Sequence, residues 1–294
     1  MRVFLTGASG WIGSALTREL LASGHEVLGL ARSDAAADTV SGLGADVLRG
    51  DLDDLATVRA GAETTDGVVH LAYNHDFTDM EGAARTDRVI IEALADVLAG
   101  SARPLLIASG VAGFALGRTV TEDDRPDPSG HPRSANGLLA LQLAEKGIRT
   151  GVVRFAPTVH GAGDHGFIGT IVDIARRQGV SGYVGAGANR WPAVHVADAA
   201  NLIRLTLETA PPATVVHAVA EEGIATQEIA AAVGRGLGLP VQSVAPDDAA
   251  DHFGWMGRIF AADLATSSAR TRERFGWVPT HPTLLDDIAA GHYF

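Results

Sequence analysis

The chain of 294 residues contains no cysteine and only one lysine, Lys146, so the rest of its 23 cationic residues are arginines. Without cysteine it cannot form disulfides, thiolate metal sites or a thiol nucleophile. Any reaction step that needs a lysine must use Lys146. Aromatic residues are scarce at 5%, and no apolar run approaches the roughly 20 residues that a membrane span requires.

Acidic residues outnumber basic ones, 35 against 23, which gives a formal net charge of −12. A nucleic-acid-binding protein would show a basic stripe, so we expect no nucleic-acid partner. Hydrophobic residues at 46% and charged residues at 20% are typical of a globular protein with a large core. The first residues do not resemble a signal peptide. We therefore expect a cytoplasmic protein with no membrane partner.

Short apolar runs alternate with amphipathic stretches through the first half of the chain. The runs cover residues 3–6, 26–30, 46–48, 67–71, 105–108 and 150–155, and the amphipathic stretches cover 13–22, 53–60, 82–99 and 134–145. Apolar strands separated by helices are typical of a doubly wound parallel sheet, the α/β Rossmann fold. We assign residues 1–156 to this dinucleotide-binding domain.

The remaining residues, 157–294, are expected to form a smaller C-terminal substrate lobe. Its predicted elements are helices at 169–177, 197–208 and 227–237 and a strand at 214–218. No linker composition separates the two parts. The lobe is therefore expected to be interleaved with the first domain and to lean over the carboxyl edge of its sheet, not to fold independently.

A glycine-rich segment, Thr6-Gly7-Ala8-Ser9-Gly10-Trp11-Ile12-Gly13, follows the first predicted strand and opens the first helix. In that context Gly7 can make a tight turn, Gly10 lets the backbone approach phosphate oxygens, and Gly13 lets the helix pack against the sheet. The helix N-terminus then offers free N–H groups to an anion. The segment therefore predicts a pyrophosphate-binding loop.

Arg32 stands at the end of the second predicted strand, followed by Ser33 and Asp34. A site for NAD would carry an acidic residue there to bind the ribose 2′-hydroxyl. A guanidinium instead suits a 2′-phosphate. We expect NADP(H) as the cofactor, the alternative being that Arg32 is only a solvated residue at a strand end.

These segments resemble the extended and atypical short-chain dehydrogenase/reductases of the epimerase/dehydratase-like branch. Further matching segments are Gly50–Leu52, Val68–Ala72, Val152–Gly161, Asn189–Ala200 and Arg272–Thr280. The resemblance implies that Asp51 and Leu52 lie by the adenine. It also implies that Leu71 and Ala72 lie beside the cofactor and that Pro157 and Thr158 lie near the nicotinamide.

The family's catalytic set is a serine or threonine after the fifth strand and a Tyr-x-x-x-Lys pair on the next helix. Here Lys146 has Gln142 four residues before it, and none of the tyrosines (Tyr73, Tyr183 and Tyr293) has a lysine four residues after it. The standard pair is therefore absent.

Two residues are candidates to replace it. When Arg133 and Ser134 are aligned with the family pattern Y-x-R-S-K, His131 stands at the tyrosine position. Histidine titrates near neutrality and can donate a proton; the alternative is a loop histidine without a chemical role. Ser109, after the fifth strand, can hydrogen-bond the carbonyl oxygen, or it can simply cap the strand.

For the substrate we expect contacts from His160, Tyr183 and Trp191 in the lobe. Histidines near a Gly-rich loop without a helical HExxH face do not form a standard metal site, so we predict no metal. The lobe's arginines are dispersed, which favours a small, mostly uncharged carbonyl compound. The leading hypothesis is an NADP(H)-dependent reductase of a ketone, an aldehyde or an imine. The alternatives are a non-catalytic NADP-binding sensor or scaffold and a nucleotide-sugar epimerase or dehydratase. Long amphipathic helices are compatible with a homodimer.

Overall fold

A computed structural model describes residues 1–74, 79–111, 114, 117–127 and 132–294 of the chain. The strands, numbered in chain order, are β1 (Arg2–Thr6), β2 (Glu26–Ala31), β3 (Asp46–Arg49), β4 (Gly67–His70), β5 (Pro104–Gly110), β6 (Arg149–Phe155), β7 (Thr158–His160), β8 (Ser181–Val184), β9 (Arg190–His195), β10 (Thr214–Ala218), β11 (Glu221–Ala225) and β12 (Val241–Val244). The helices are α1 (Trp11–Ala22), α2 (Asp34–Gly42), α3 (Leu55–Glu63), α4 (Met80–Leu98), α5 (Pro132–Gln142), α6 (Phe167–Gln178), α7 (Val196–Thr209), α8 (Thr226–Leu237), α9 (Ala249–Phe253), α10 (Met256–Phe260), α11 (Ala269–Phe275) and α12 (Leu284–Ala289).

The main sheet has seven strands in the order β10-β6-β5-β4-β1-β2-β3. All of its neighbouring strands are parallel. The order reverses beside β1, so this is the predicted doubly wound Rossmann sheet, and its ligand crevice is expected at the carboxyl ends of the strands on either side of that reversal.

Alternate residues of β1 enter different cores because successive side chains of a strand point to opposite faces. Val3 and Leu5 pack with the buried faces of α1 and α7. Phe4 packs on the other face with residues of α3, α4 and α5. The sheet is therefore covered by helices on both sides.

The remaining elements form the lobe. Strands β7, β9 and β11 make a three-stranded sheet, and β8 pairs with β12. Helices α6, α8, α9, α10 and α12 bury a separate core around Trp191 and Phe260. Trp277 is buried too, and its indole N–H donates to the Asp198 carbonyl at 3.1 Å, which joins the C-terminal segment to α7.

Two elements differ from the sequence-based prediction. The strand at Thr214–Ala218 was expected in the lobe, but it pairs with β6 and forms the edge of the main sheet. Helix α2 was not predicted; it buries only Val40, so it carries almost no apolar periodicity.

The one lysine lies far from the carboxyl edge. Lys146 ends a 3₁₀ turn just before β6, and its ammonium binds the Asp96 carboxylate at 2.8 Å. The next residue, Gly147, lies against Gly100, which precedes β5. Lys146 therefore belongs to the amino end of the strands. No helix in the described ranges is both long and apolar enough to cross a membrane.

Candidate functional site

The glycine-rich loop after β1 has the geometry of a phosphate cradle. Gly7 adopts a φ of +74°, and a Cβ there would lie 2.8 Å from the Ala72 nitrogen. A Cβ on Gly13 would lie 1.9 Å from the Gly7 carbonyl oxygen. The Gly10 N–H donates to that same carbonyl oxygen at 3.0 Å, which closes the turn. Positions 7 and 13 therefore need glycine, because a side chain at either one would collide with backbone atoms of the folded loop.

At the N-terminus of α1, no side chain competes with an external anion for the first backbone N–H groups of the helix. Its N-cap is Gly10, and no side chain makes a capping hydrogen bond there. The first N–H groups of an α-helix have no partner within the helix, and they carry the positive end of its dipole. Ser9, Trp11 and Ile12 are all partly exposed around this end. The loop therefore fits the pyrophosphate of a dinucleotide.

Trp11 connects this loop to the lobe. Its indole N–H donates to the Val159 carbonyl at 2.8 Å, and its ring lies 3.4 Å from the position that a Cβ on Gly161 would take. The Trp11 side chain is thus packed against the lobe, so the group that Trp11 can offer to an anion at the helix end is its backbone N–H.

The neighbouring ends of β2 and β3 carry two arginines, one of which is bound to other groups of the protein and one of which is not. The Arg49 guanidinium binds the Asp34 carboxylate and the Ser33 carbonyl, each at 2.7 Å. The Ser33 hydroxyl caps α2 by accepting the Ala36 N–H at 3.2 Å. Arg32 is exposed, and no hydrogen bond or ion pair engages its guanidinium within the described part of the chain. The negative charge of Asp34 is thus already compensated, while Arg32 is available to an external anion.

The other predicted cofactor residues lie around the same edge. Asp51 follows β3 and is exposed, with its carboxylate accepting the Leu52 N–H at 2.6 Å. Leu71 and Ala72 follow β4, and their N–H groups donate to the Thr6 carbonyl and hydroxyl oxygens, both at 3.3 Å. The two hydrogen bonds to Thr6 hold the end of β4 beside the glycine loop.

Pro157 and Thr158 follow β6, on the other side of the sheet's reversal point. Pro157 is half-buried, and Thr158 is buried at the start of β7, where it pairs with Ala193. The Thr158 hydroxyl has no hydrogen-bond partner among the described residues.

Ser109 lies near the end of β5 and is almost completely buried, with 7% of its surface exposed. Its Oγ is 3.7 Å from the position that a Cβ on Gly137 would take, so α5 passes directly over it. The other catalytic candidate, His131, lies outside the described residues.

The structure brings together two side chains that sequence analysis did not connect. The Arg133 guanidinium, on the first turn of α5, lies over the Tyr73 ring with 4.0 Å between its carbon and the ring centroid. Tyr73 follows Ala72 beyond β4. Burial raises the pKa of the Tyr73 phenol, and the Arg133 charge acts in the opposite direction. A tyrosine and a cation therefore meet here from two separate elements, which a spacing rule within one helix cannot detect.

A buried polar chain lies beside this pair. The Thr6 hydroxyl and His70 Nδ1 are 2.6 Å apart, and His70 Nε2 lies 3.1 Å from Asp87 Oδ1. Asp87 Oδ2 accepts a hydrogen bond from the Asn136 amide at 2.6 Å. Because the Asp87 carboxylate can only accept, it assigns the proton of a neutral His70 to Nε2, and Nδ1 then accepts from the Thr6 hydroxyl. The chain fixes α4 and α5 relative to the cofactor loop.

Two of the three residues expected to contact substrate have another role. His160 and Trp191 have no exposed surface. Trp191 packs edge-on against Phe260, with ring centroids 5.1 Å apart, inside the lobe core. Neither side chain can touch a substrate in this conformation, so the structure corrects both expectations. Tyr183, in β8, is half-buried.

His160 belongs instead to a histidine cluster around Asp287. Its Nδ1 lies 2.6 Å from the Asp287 carboxylate, and His292 Nδ1 lies 3.3 Å from the same group. The His195 ring stacks on His281 with a centroid separation of 4.7 Å, and burial lowers the pKa of His195. The cluster joins α12 to β7. The described residues include no group of three or more histidine or acidic side chains arranged to hold a metal ion.

Comparison with known proteins identifies the family. Residues 3–219 match the NAD dependent epimerase/dehydratase family. The chain belongs to this family. It is 44% identical, over the full length of both chains, to an uncharacterised protein of Schizosaccharomyces pombe. It is 30% identical to a 4-hydroxy-2-methyl-3-oxo-4-farnesyl-3,4-dihydroquinoline-1-oxide ketoreductase of Stigmatella aurantiaca, over 72% of this chain and 66% of that one.

A solved structure agrees at the level of the fold. A dTDP-glucose 4,6-dehydratase from Streptomyces venezuelae, crystallised with NAD bound, superposes with a TM-score of 0.76 over 99% of this chain and 96% of that chain. The two sequences are 21% identical. The resemblance inferred from the sequence motifs is therefore confirmed, and the family is nicotinamide-dependent. The family's Tyr-x-x-x-Lys pair is nonetheless missing from this chain.

Proposed function

We propose that this protein is an NADP(H)-dependent reductase of a ketone or aldehyde group in a small, mostly uncharged substrate. The observation that carries the proposal concerns the two charged residues just after β2. Asp34 is bound by the Arg49 guanidinium, whereas Arg32 is exposed and makes no hydrogen bond or ion pair within the described residues. A free guanidinium beside a compensated carboxylate favours a 2′-phosphate over a 2′-hydroxyl.

The glycine loop and the N-terminus of α1 would hold the pyrophosphate, and Asp51 and Leu52 would lie by the adenine. The bound dinucleotide supplies hydride to the carbonyl carbon. Ser109, under α5, would donate a hydrogen bond to the carbonyl oxygen. Its burial strengthens such a bond, because competing water is excluded. The family resemblance also supports reduction, since one relative carries the name of a ketoreductase.

Two of the lobe's arginines support the choice of an uncharged substrate. Arg190 is bound by the Asp263 carboxylate at 2.9 Å, and Arg176 by Asp173 at 3.0 Å. Both guanidinium groups are thus already paired with a carboxylate and are not free to bind the diphosphate of a nucleotide sugar. Phe167 and Trp255 lie with ring centroids 5.9 Å apart on the lobe, and Trp255 is 51% exposed. An apolar surface of this kind suits an apolar carbonyl compound.

The test compares NADPH with NADH. Binding of each is followed by fluorescence, and oxidation of each is followed by absorbance against hexanal, acetophenone and ethyl acetoacetate. Arg32→Ala should weaken NADPH binding by about ten- to a hundredfold, the value of one charge-assisted hydrogen bond, and leave NADH binding unchanged. The matched control is Arg88→Ala, which removes an exposed arginine of α4.

Equal affinity of the wild-type protein for both dinucleotides would contradict the NADP(H) assignment. Tight NADPH binding with no turnover of any carbonyl compound would instead favour a binding protein without catalysis.

A further inference from the structure

A tyrosine, Tyr73, follows β4 at the carboxyl edge of the sheet, although His131 stands at the family's tyrosine position in the sequence. Tyr73 is one residue beyond Ala72, whose nitrogen would be 2.8 Å from a Cβ on Gly7. It is therefore anchored directly beside the cofactor loop. On the next strand, Ser109 stands near the end of β5. The ring of Tyr73 is held from above by Arg133 of α5, the same helix whose Gly137 covers Ser109.

We propose that Tyr73 donates the proton in the reduction and that the Arg133 guanidinium stabilises the phenolate that remains. This assignment rests on the proposed reductase function. The carbonyl carbon would gain a hydride with its electron pair from NADPH, which would become NADP⁺, and the carbonyl π electrons would move onto oxygen. That oxygen takes the proton from Tyr73 Oη, leaving an alcohol and a tyrosinate, which solvent water reprotonates.

The arrangement supplies the two physical requirements of such a donor. A proton donor needs a nearby group that stabilises its charged form, and a guanidinium 4.0 Å above the ring provides a fixed positive charge. The donor must also be held in position. Asp87 is within electrostatic range of Arg133, and its own carboxylate is fixed by His70 and Asn136. The Asp87 carboxylate thus favours the charged form of the Arg133 guanidinium.

The first experiment measures turnover and cofactor binding together. Tyr73→Phe keeps the ring under Arg133 and removes only the hydroxyl. We expect kcat to fall by about 10²- to 10⁴-fold, the usual contribution of a general acid, with NADPH affinity unchanged. Tyr293→Phe is the matched control, because it removes a hydroxyl that binds Asp164 in the lobe, and its kcat should equal that of the wild type. His131→Ala tests the alternative donor.

A second experiment does not depend on turnover. Incorporating 3-fluorotyrosine into a chain with three tyrosines gives three ¹⁹F resonances, and the Tyr73 signal is the one absent from Tyr73→Phe. We expect Arg133→Met to raise the titration midpoint of this signal and to leave the chemical shift of the Tyr293 signal unchanged. Binding of NADP⁺ should shift the Tyr73 signal and not the Tyr293 signal.

The outcomes separate the two proposals. A wild-type protein that turns over substrate while Tyr73→Phe retains full kcat overturns the Tyr73 assignment alone. Loss of activity in His131→Ala without loss in Tyr73→Phe does the same and assigns the proton to His131. A wild-type protein that neither binds NADPH nor consumes it overturns the reductase function and, with it, this assignment.

Discussion

His217 lies in β10 with both ring nitrogens engaged in a buried site. Its Nδ1 lies 2.8 Å from the Ser267 carbonyl oxygen, and its Nε2 lies 3.2 Å from the Arg154 guanidinium. A carbonyl oxygen can only accept and a guanidinium can only donate, so the ring must be neutral, with its proton on Nδ1. Protonation of Nε2 would place two cationic donors face to face away from water.

This environment makes stability depend on pH. Burial lowers the pKa of His217 from 6.5 to about 4. Above pH 6.5 the ring is neutral in both the folded and unfolded states, and the contribution is fully present. As the pH falls from 6.5 toward 4, the unfolded state binds the proton and the folded state does not, so stability is lost. The loss reaches about 2 kcal/mol near pH 5 and about 3 kcal/mol once the folded state is protonated too.

Urea unfolding at about pH 7.5 and about pH 5 measures this loss. His217→Gln is the informative variant, because its amide can donate to Ser267 and accept from Arg154 without titrating. Between the two pH values the wild type should lose about 2 kcal/mol more than His217→Gln. His165→Gln, which changes an exposed histidine, should follow the wild type. Parallel pH profiles for the wild type and His217→Gln would refute the argument.

Three other predictions follow from the described contacts. Gly13→Ala would place a Cβ 1.9 Å from the Gly7 carbonyl oxygen, so it should destabilise the fold by about 1–3 kcal/mol and abolish NADPH binding, as measured by thermal unfolding with and without NADPH. Asp198→Ala removes the acceptor of the His281 N–H at 3.1 Å and of its ring at 2.8 Å, and it should cost about 1–3 kcal/mol in urea unfolding. Thr283→Ala removes the capping box of α12, so it should cost about 0.5–2 kcal/mol, with a negligible change disproving the role of the cap.

The first half of the fold was predictable because its strands are apolar throughout. Each predicted run corresponds to one of the strands β1 to β6, with ends that differ by one or two residues. Helix α2 was missed because its stability comes from the Ser33 cap and from packing by a single buried residue, Val40. The strand β10 was placed in the lobe because pairing between β6 and a segment about 60 residues later leaves no local pattern in the sequence.

The site was predictable in part, for a similar reason. The glycine loop is local, so its sequence alone determines its turn. The meeting of Tyr73 with Arg133 depends on how α5 lies relative to the segment that follows β4, which no spacing rule encodes. The substrate residues were misjudged where burial decides the role: His160 lies in β7 and Trp191 in β9, and both are completely enclosed.

The position of Lys146 has a practical consequence. Apart from the α-amino group, it is the one primary amine in the chain, and it lies at the opposite end of the sheet from the proposed cofactor crevice. Its side chain is 44% exposed, and Met1, which carries the α-amino group directly before β1, lies at the same amino end of the strands. An amine-reactive dye, a biotin or a solid support would therefore attach at that end. Every molecule in such a preparation would present the carboxyl edge of its sheet to the solution, which suits single-molecule or surface-based measurement of dinucleotide binding.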